Sequence, residues 1–118
     1  MKKSLSIIIL VIIFIGSAGC NKNKPDNYKT LKKLYKDYKN GEINECIYNG
    51  EVVYSVGLNA HDAGNAIFDK DGTSIGDCNY AWGTVDNICG ELQNCEVIYR
   101  VEDNIWGTPA VDVYGLGD

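Results

Sequence analysis

The chain has 118 residues, a formal net charge of −5 and a mean hydropathy of −0.19. Without residues 1–19, 99 residues remain, which suits one small domain with a thin core. The charge is unevenly placed, because residues 20–40 carry seven lysines against two aspartates, a net charge of +5, whereas residues 41–118 carry two basic against fourteen acidic residues, a net charge of −12. A body this acidic argues against nucleic acid as a partner.

The chain begins in the manner of an export signal. Lys2 and Lys3 precede an apolar run from Leu5 to Ile15, and small residues then lead to Cys20. This order is typical of a secretory signal peptide, and the apolar run falls short of the ~20 residues that a membrane-spanning helix needs. We therefore predict a signal peptide over residues 1–19.

The residues before Cys20 resemble a bacterial lipobox. Ala18 and Gly19 match its pattern, whereas Ser17 stands where an aliphatic residue is usual. The resemblance implies cleavage before Cys20 and lipidation of its thiol, with an acyl chain such as palmitate on the new N-terminus. Several acyl chains anchor a protein durably, since each buried methylene adds about 0.8 kcal/mol. The alternative is an ordinary cleaved signal whose exit contains a cysteine.

A polar tether over residues 20–27 leads into the segment NYKTLKKLYKDYKNG. Its tyrosines and leucines recur at steps of three and four with lysines between them, which predicts an amphipathic helix that Gly41 ends. The apolar stripe of this helix either docks on the core, which we favour, or lies on a membrane surface.

Two hairpins are predicted after the helix. Asn49-Gly50 lies between two β-prone runs and favours a type I′ turn. Asp71-Gly72 is the predicted turn of a second hairpin, with strands at 66–68 and 73–75. The intervening residues LNAHDAGN are predicted to form a loop.

The C-terminal third is predicted to contain a helix, a strand and an irregular tail. TVDNICGELQNC, residues 84–95, has the spacing of a short helix. The following strand places Val97, Tyr99 and Val101 on one face. Together these elements predict an α+β fold with an N-terminal amphipathic helix, about five short antiparallel strands and one short helix, within a single domain at 28–118.

Four cysteines remain once Cys20 is assigned to lipid: Cys46, Cys78, Cys89 and Cys95. An even number beyond an oxidising boundary predicts two disulfides, and the spacing leaves all three pairings open. A structural zinc site is the alternative, but the close C-x2-C pair of such sites is missing.

The stretches CIYNGEVVYSVG, IFDKDGTSIGDCNYAWG and ICGELQNCEVIYR resemble a group of small bacterial lipoproteins of unknown function. The resemblance covers residues 46–107 and includes the motif aromatic-Asp-x-x-Gly at 68–72. It implies a lipobox, an N-terminal helix and a cysteine-stapled domain of hairpins. It implies no activity and no catalytic residue.

Two motifs suggest chemistry but have plainer interpretations. The DKDG stretch at 69–72 looks like a calcium loop, but Ile67 and Cys78 stand where ligands are required. His61, the single histidine, adjoins Asp62 without a nucleophile placed beside it, so we expect a surface histidine. We expect no catalytic residue, no metal site and no cofactor.

Tyr80, Trp82 and Trp106 occur in predicted loops, and each tryptophan precedes a glycine. Aromatic side chains on rigid loops anchor partners efficiently because they contribute large area at low entropic cost. The three residues are either covers for a thin core or a binding patch.

These features predict a lipid-anchored, non-enzymatic protein of the bacterial cell envelope that binds an envelope protein or polymer. Asn21 stands where, in one class of Gram-negative bacteria, an aspartate retains lipoproteins in the inner membrane. We therefore expect the outer membrane, with the domain in the periplasm or at the surface. The alternatives are an inhibitor of secreted enzymes and an envelope hydrolase.

Overall fold

A computed structural model describes residues 25–61 and 63–118. The expected signal peptide, Cys20 and most of the tether lie outside the described residues. Within them, seven strands form a single antiparallel sheet, and one α-helix packs on one face of that sheet. The bounds are α1 Tyr28–Tyr38, β1 Gly41–Tyr48, β2 Glu51–Leu58, β3 Asn65–Asp69, β4 Ser74–Asn79, β5 Thr84–Val85, β6 Gln93–Arg100 and β7 Val111–Asp112.

The predicted helix is α1, and its apolar stripe packs on the core. Leu31 and Leu34 are buried, whereas the lysines of the opposite face are exposed. The helix ends at Tyr38, before the predicted glycine. Gly41 instead opens β1, where a Cβ atom would overlap the Gly57 carbonyl oxygen. Only glycine permits this close approach of β1 to β2.

The first hairpin prediction is confirmed. Tyr48 pairs with Glu51 across a two-residue turn in which Asn49 and Gly50 have φ of 50° and 78°. Positive φ at both positions is the requirement of a type I′ turn, which asparagine and glycine meet with little strain.

The second hairpin also forms, but its strands are longer than predicted and the connection between them is shifted by one residue. Residues 70–73 make the loop, with Gly72 at φ 88°. One carboxylate oxygen of Asp69 accepts hydrogen bonds from the backbone N–H groups of Asp71 and Thr73, both at 2.9 Å. Asp69 thus closes the turn, as aspartate commonly does through its own side chain.

The predicted helix over 84–95 is wrong. Its first residues form β5, and the rest supplies a single 3₁₀ turn at Asn87–Gly90 before β6 begins. A helix this short has little cooperative stability, and Gly90 weakens it further. A disulfide also ties Cys89 to Cys78 of β4.

The last strand and the tail differ from expectation as well. Val97 pairs with Asn44 but Tyr99 pairs with Ile43, so an irregularity at Ile98 moves Val97 and Tyr99 to opposite faces. A bulge of this kind cannot be seen in a pattern of alternation. The tail is partly regular, because it contributes β7 to the sheet edge.

The sheet order is β5-β4-β3-β2-β1-β6-β7. We call the side covered by α1 the helix face. Its cluster comprises Leu31, Leu34, Ile43, Tyr54, Val56, Ile98, Tyr99 and Leu116. The other side, which we call the disulfide face, carries a smaller cluster of Cys46, Val53, Ile67, Cys78 and Ile88.

Two disulfides complete the fold and settle the pairing that the spacing left open. Cys46 of β1 is bonded to Cys95 of β6, and Cys78 of β4 to Cys89 of the 3₁₀ turn. In the part of the chain that the structure describes, no helix has the length and apolar character needed to cross a bilayer.

Candidate functional site

A polar groove of about 310 Å³ lies at one end of the disulfide face. Its floor is one row of residues across four strands: Glu42 pairs with Gly57 on one side and with Arg100 on the other, and Gly57 pairs with Asn65. Side chains of such a row share one face of the sheet. Gly57 leaves the floor open, since a Cβ atom there would lie 3.0 Å from the Asn65 side-chain oxygen.

Two loops wall the groove. Ala60 and Ala63 come from the loop that follows Leu58 at the end of β2, and Trp106 comes from the loop after β6. The loops are joined by a hydrogen bond of 2.7 Å from the backbone N–H of Ile105 to the Asn59 side-chain oxygen. Trp106 remains 42 % exposed, so its indole is available at the rim.

Asn104 holds the Trp106 loop in shape. Its side chain is only 8 % exposed and donates to the carbonyl oxygens of Val101 and Thr108, both at 2.8 Å. Its oxygen accepts hydrogen bonds from the backbone N–H and the hydroxyl of Thr108. A buried amide with this many partners makes the loop rigid. Trp106 therefore sits on a preorganised support.

A charged pair forms the polar wall of the groove. Arg100 Nε donates to Glu42 Oε2 at 2.7 Å, and Asn44 Nδ2 donates to the other oxygen of Glu42 at 3.0 Å. Arg100 also donates to the Pro109 carbonyl oxygen at 3.3 Å. Both charged side chains are about one-fifth exposed, at 18 % and 22 %. The pair is thus held in place yet accessible to a ligand.

Tyr80 lines a second depression that adjoins the groove at Asn65. Asn65 donates to the buried Ser55 hydroxyl at 3.1 Å, which fixes the boundary between the two depressions. Tyr80 is 69 % exposed. The structure therefore places Tyr80 and Trp106 on one face in neighbouring depressions. The side chain of Trp82 lies outside the described residues.

The other residues weighed for chemistry lie apart. His61 is exposed in the loop after β2, and Asp62 lies outside the described residues. Asp69 serves the hairpin turn. No three potential ligands among histidine, cysteine, aspartate and glutamate converge within residues 25–61 and 63–118.

Glu45 is a perturbed carboxylate on the opposite side of the sheet. Burial raises its pKa, the facing Glu96 raises it further, and a hydrogen bond from the Tyr114 hydroxyl acts in the opposite direction. Glu45 pairs with Tyr54 on β2, a residue of the helix face. It does not line the polar groove.

Of the residues that line the groove, only Trp106 was predicted as a site residue from the sequence. Glu42 and Arg100 are 58 positions apart, and no local pattern joins them. One signal was present: Arg100 is the single arginine of the chain, and it lies in a strand of an acidic body. An arginine that is partly buried in such a strand is expected to pair with a carboxylate, because an unpaired buried charge is unfavourable.

No protein-family model, no curated protein and no solved structure matches this chain.

Proposed function

We propose that this chain is a lipid-anchored bacterial envelope protein without enzymatic activity, and that its polar groove binds an envelope polymer. The observation that carries the binding site is Trp106, exposed on a rigid loop beside the Glu42–Arg100 pair. The sequence from Leu5 to Cys20 supports the anchor, and Asn21 supports the outer membrane as its location.

The chemistry of the groove suits a saccharide ring. An indole offers a flat apolar surface of large area, and its attachment to a rigid loop lowers the entropic cost of binding. Glu42, Arg100 and Asn65 supply acceptors and donors around it. A sugar ring has the complementary surface, with an apolar face and a rim of hydroxyl and amide groups. We therefore propose a glycan of the envelope as the ligand.

The same groove is poorly equipped for hydrolysis. Its described lining has one carboxylate, Glu42, and both oxygens of that group are engaged by Arg100 and Asn44. Cleavage of a glycosidic bond by the common mechanisms needs two carboxylates that flank the bond. This composition supports binding over catalysis.

Titration of the purified protein with N-acetylated amino-sugar oligosaccharides tests the groove. The W82F background leaves Trp106 as the only fluorophore of its kind, because the chain has two tryptophans. Calorimetry then compares W106A with I105A, a matched control since Ile105 and Trp106 are both 42 % exposed on one turn. We expect W106A to weaken binding at least tenfold, as for an aromatic anchor worth about 1.4 kcal/mol or more, and I105A to change it about twofold or less.

Absence of binding, or equal losses in the two variants, would count against the glycan site. The anchor is tested separately by the intact mass of membrane-extracted protein. A mass that starts at Cys20 and carries acyl chains supports it, and an unlipidated mass contradicts it.

One feature favours inhibition of a secreted enzyme as a second candidate function. The Cys78–Cys89 disulfide closes a loop that presents Tyr80 to solvent. The Asp77 backbone N–H donates to the Asp86 carboxylate at 2.8 Å, and the Asp86 backbone N–H donates to the Asp77 carbonyl oxygen at 3.0 Å, so the base of this loop is braced. Rigid exposed loops of this kind suit enzyme clefts. Inhibition of a panel of secreted proteases, abolished in Y80A, would support this role over glycan binding.

A further inference from the structure

The outer surface of α1 carries a row of lysines. Lys29, Lys33 and Lys36 are spaced at i, i+4 and i+7, so they share the helix side opposite Leu31 and Leu34. All three are exposed. Among the residues that the structure describes, none of the three forms an ion pair with a carboxylate. This row is a cationic surface without a partner in the fold.

We infer that this lysine row docks on anionic phospholipid headgroups and so holds the polar groove away from the membrane. The inference rests on the proposed lipid anchor at Cys20. Tyr28 is eight positions after Cys20, so the start of α1 lies within about 28 Å of the anchor even if the connection is fully extended. Lysines this close to a membrane are attracted by anionic headgroups.

The contact is electrostatic and does not involve insertion of the helix. An amphipathic helix enters the interface with its apolar face. In α1 that face is occupied, because Leu31 and Leu34 are 0 % and 5 % exposed within the core. Only the lysine side is free to meet the bilayer, and its attraction weakens as salt shortens the screening length.

The sheet places the groove on the opposite side of the domain. Ile43 and Val56 face α1, whereas their neighbours Glu42 and Gly57 form the groove floor. Successive residues of a strand point to opposite faces. The acidic body, with a net charge of −12 over residues 41–118, is repelled by the same headgroups that attract α1. Attraction of the lysine row and repulsion of the acidic body therefore favour the same orientation, with α1 towards the membrane and the groove away from it.

We expect the docked orientation to be strongly preferred over undocked orientations on an anionic membrane. Each lysine near an anionic surface favours docking roughly fivefold, so three together favour it about a hundredfold at moderate salt. A docked lysine reacts more slowly with reagents in solution than an undocked one.

The test uses the membrane-extracted protein reconstituted in vesicles of phosphatidylcholine alone or with 30 mol% phosphatidylglycerol. Acetic anhydride, an uncharged reagent, acetylates accessible lysines, and peptide mass spectrometry gives the rate at each site. A reporter lysine introduced as N87K marks the far side, since Asn87 is exposed in the 3₁₀ turn on the disulfide face. Flotation of the vesicles gives the bound fraction in the same sample.

We expect acetylation of Lys29, Lys33 and Lys36 to slow at least about tenfold with phosphatidylglycerol and to recover in 1 M salt. The reporter at position 87 should react equally in both vesicles. Two double variants, each of which makes the net charge more negative by two, are then compared by how far phosphatidylglycerol slows acetylation of Lys36. In K29Q/K33Q most of this protection should be lost. In Q93E/N94D, at exposed positions of β6, the protection should remain.

Equal rates at the three lysines in both vesicles, in a protein that floats with them, overturn the docking and leave the anchor intact. Protection of the reporter along with the lysines overturns the orientation. A protein that floats with neither vesicle has no anchor, and this result overturns the proposed anchor together with the docking that depends on it.

Discussion

Asn104 is the residue on which the shape of the groove rim depends. It lies beneath the turn that carries Trp106 and satisfies three backbone groups and one hydroxyl of that loop. The sequence around it, EDNIWGTP, reads as an unremarkable polar loop. Its importance follows only from its burial.

Replacement of Asn104 by alanine should lower the free energy of unfolding by about 1–3 kcal/mol, because buried partners of the amide lose their hydrogen bonds. The loop should also loosen, so that Trp106 emission becomes more solvent-like. Urea unfolding and fluorescence in the W82F background measure the two effects. Asn87→Ala, at an exposed position, is the control and should change stability by about 0.5 kcal/mol or less. Equal effects in both variants would contradict the role of Asn104.

Two buried tyrosines differ in whether their hydroxyl groups form a hydrogen bond. The Tyr99 hydroxyl donates to the Lys39 carbonyl oxygen at 2.6 Å. The Tyr54 hydroxyl is buried without a hydrogen bond to any described residue, and this burial raises the pKa of Tyr54 to about 12. The nearby Asn27 side chain acts in the opposite direction and lowers that pKa by less than burial raises it.

Tyr99→Phe should therefore destabilise the fold by about 1 kcal/mol, whereas Tyr54→Phe should be neutral or stabilising. Both changes remove one hydroxyl from a tyrosine of the helix-face cluster, so each serves as the control for the other. Thermal and urea unfolding would decide between them. A larger loss in Tyr54→Phe would mean that its hydroxyl has a partner.

At the scale of elements, β1 and β6 place two like charges opposite each other. Glu45 pairs directly with Glu96. Burial and this repulsion raise the pKa of Glu45, so its ionised form is unfavourable in the folded state. Like charges in a directly opposed pair destabilise a sheet.

The sign of the pH effect follows from linkage. Because the folded pKa is raised, protonation of Glu45 adds stability as the pH falls from the raised value towards the usual glutamate value of about 4.3. Glu45→Gln should therefore be more stable than the parent at neutral pH, with the difference shrinking through that window. Urea unfolding from pH 7 to 4 measures it. Glu91→Gln, at an exposed position, is the control for the removal of one negative charge.

Elements with local signals were predictable from the sequence. The Asn49-Gly50 turn and the stripe of α1 depend on neighbouring residues, so their patterns are complete within a short window. The segment 84–95 has helical spacing, but tertiary pairing of β5 and a disulfide prevailed over it. The groove floor combines Glu42, Gly57, Asn65 and Arg100 from four strands. Their convergence depends on strand order and register, which no local pattern carries.

The two disulfides of the molecule differ in the length of chain that each of them encloses. Cys46–Cys95 spans a sequence separation of 49 and Cys78–Cys89 one of 11. A longer closed loop restricts the unfolded chain more strongly. The first bridge also joins the two strands that pair across the greatest distance in sequence.

Removal of Cys46–Cys95 as paired alanines should therefore cost about 4 kcal/mol, and removal of Cys78–Cys89 about 3 kcal/mol. Cys46 is fully buried, so its loss also removes packing. Urea unfolding of the two double variants gives the comparison. An equal or reversed order would show that strain or residual structure outweighs chain entropy.

The strand order has a consequence for biogenesis. Strands β2 to β5 each pair with the strand before them, so β1 to β5 can assemble as a meander while the chain is still being delivered N-terminus first. β6 arrives after these five strands and pairs with β1, the first of them. Until then Cys46 meets Cys78 and Cys89 before its true partner, because the native bridges are nested. Oxidation in order of arrival traps wrong pairs, and their correction requires thiol–disulfide exchange. The yield of native protein should thus depend on the isomerase activity of its compartment more than on the oxidising power there.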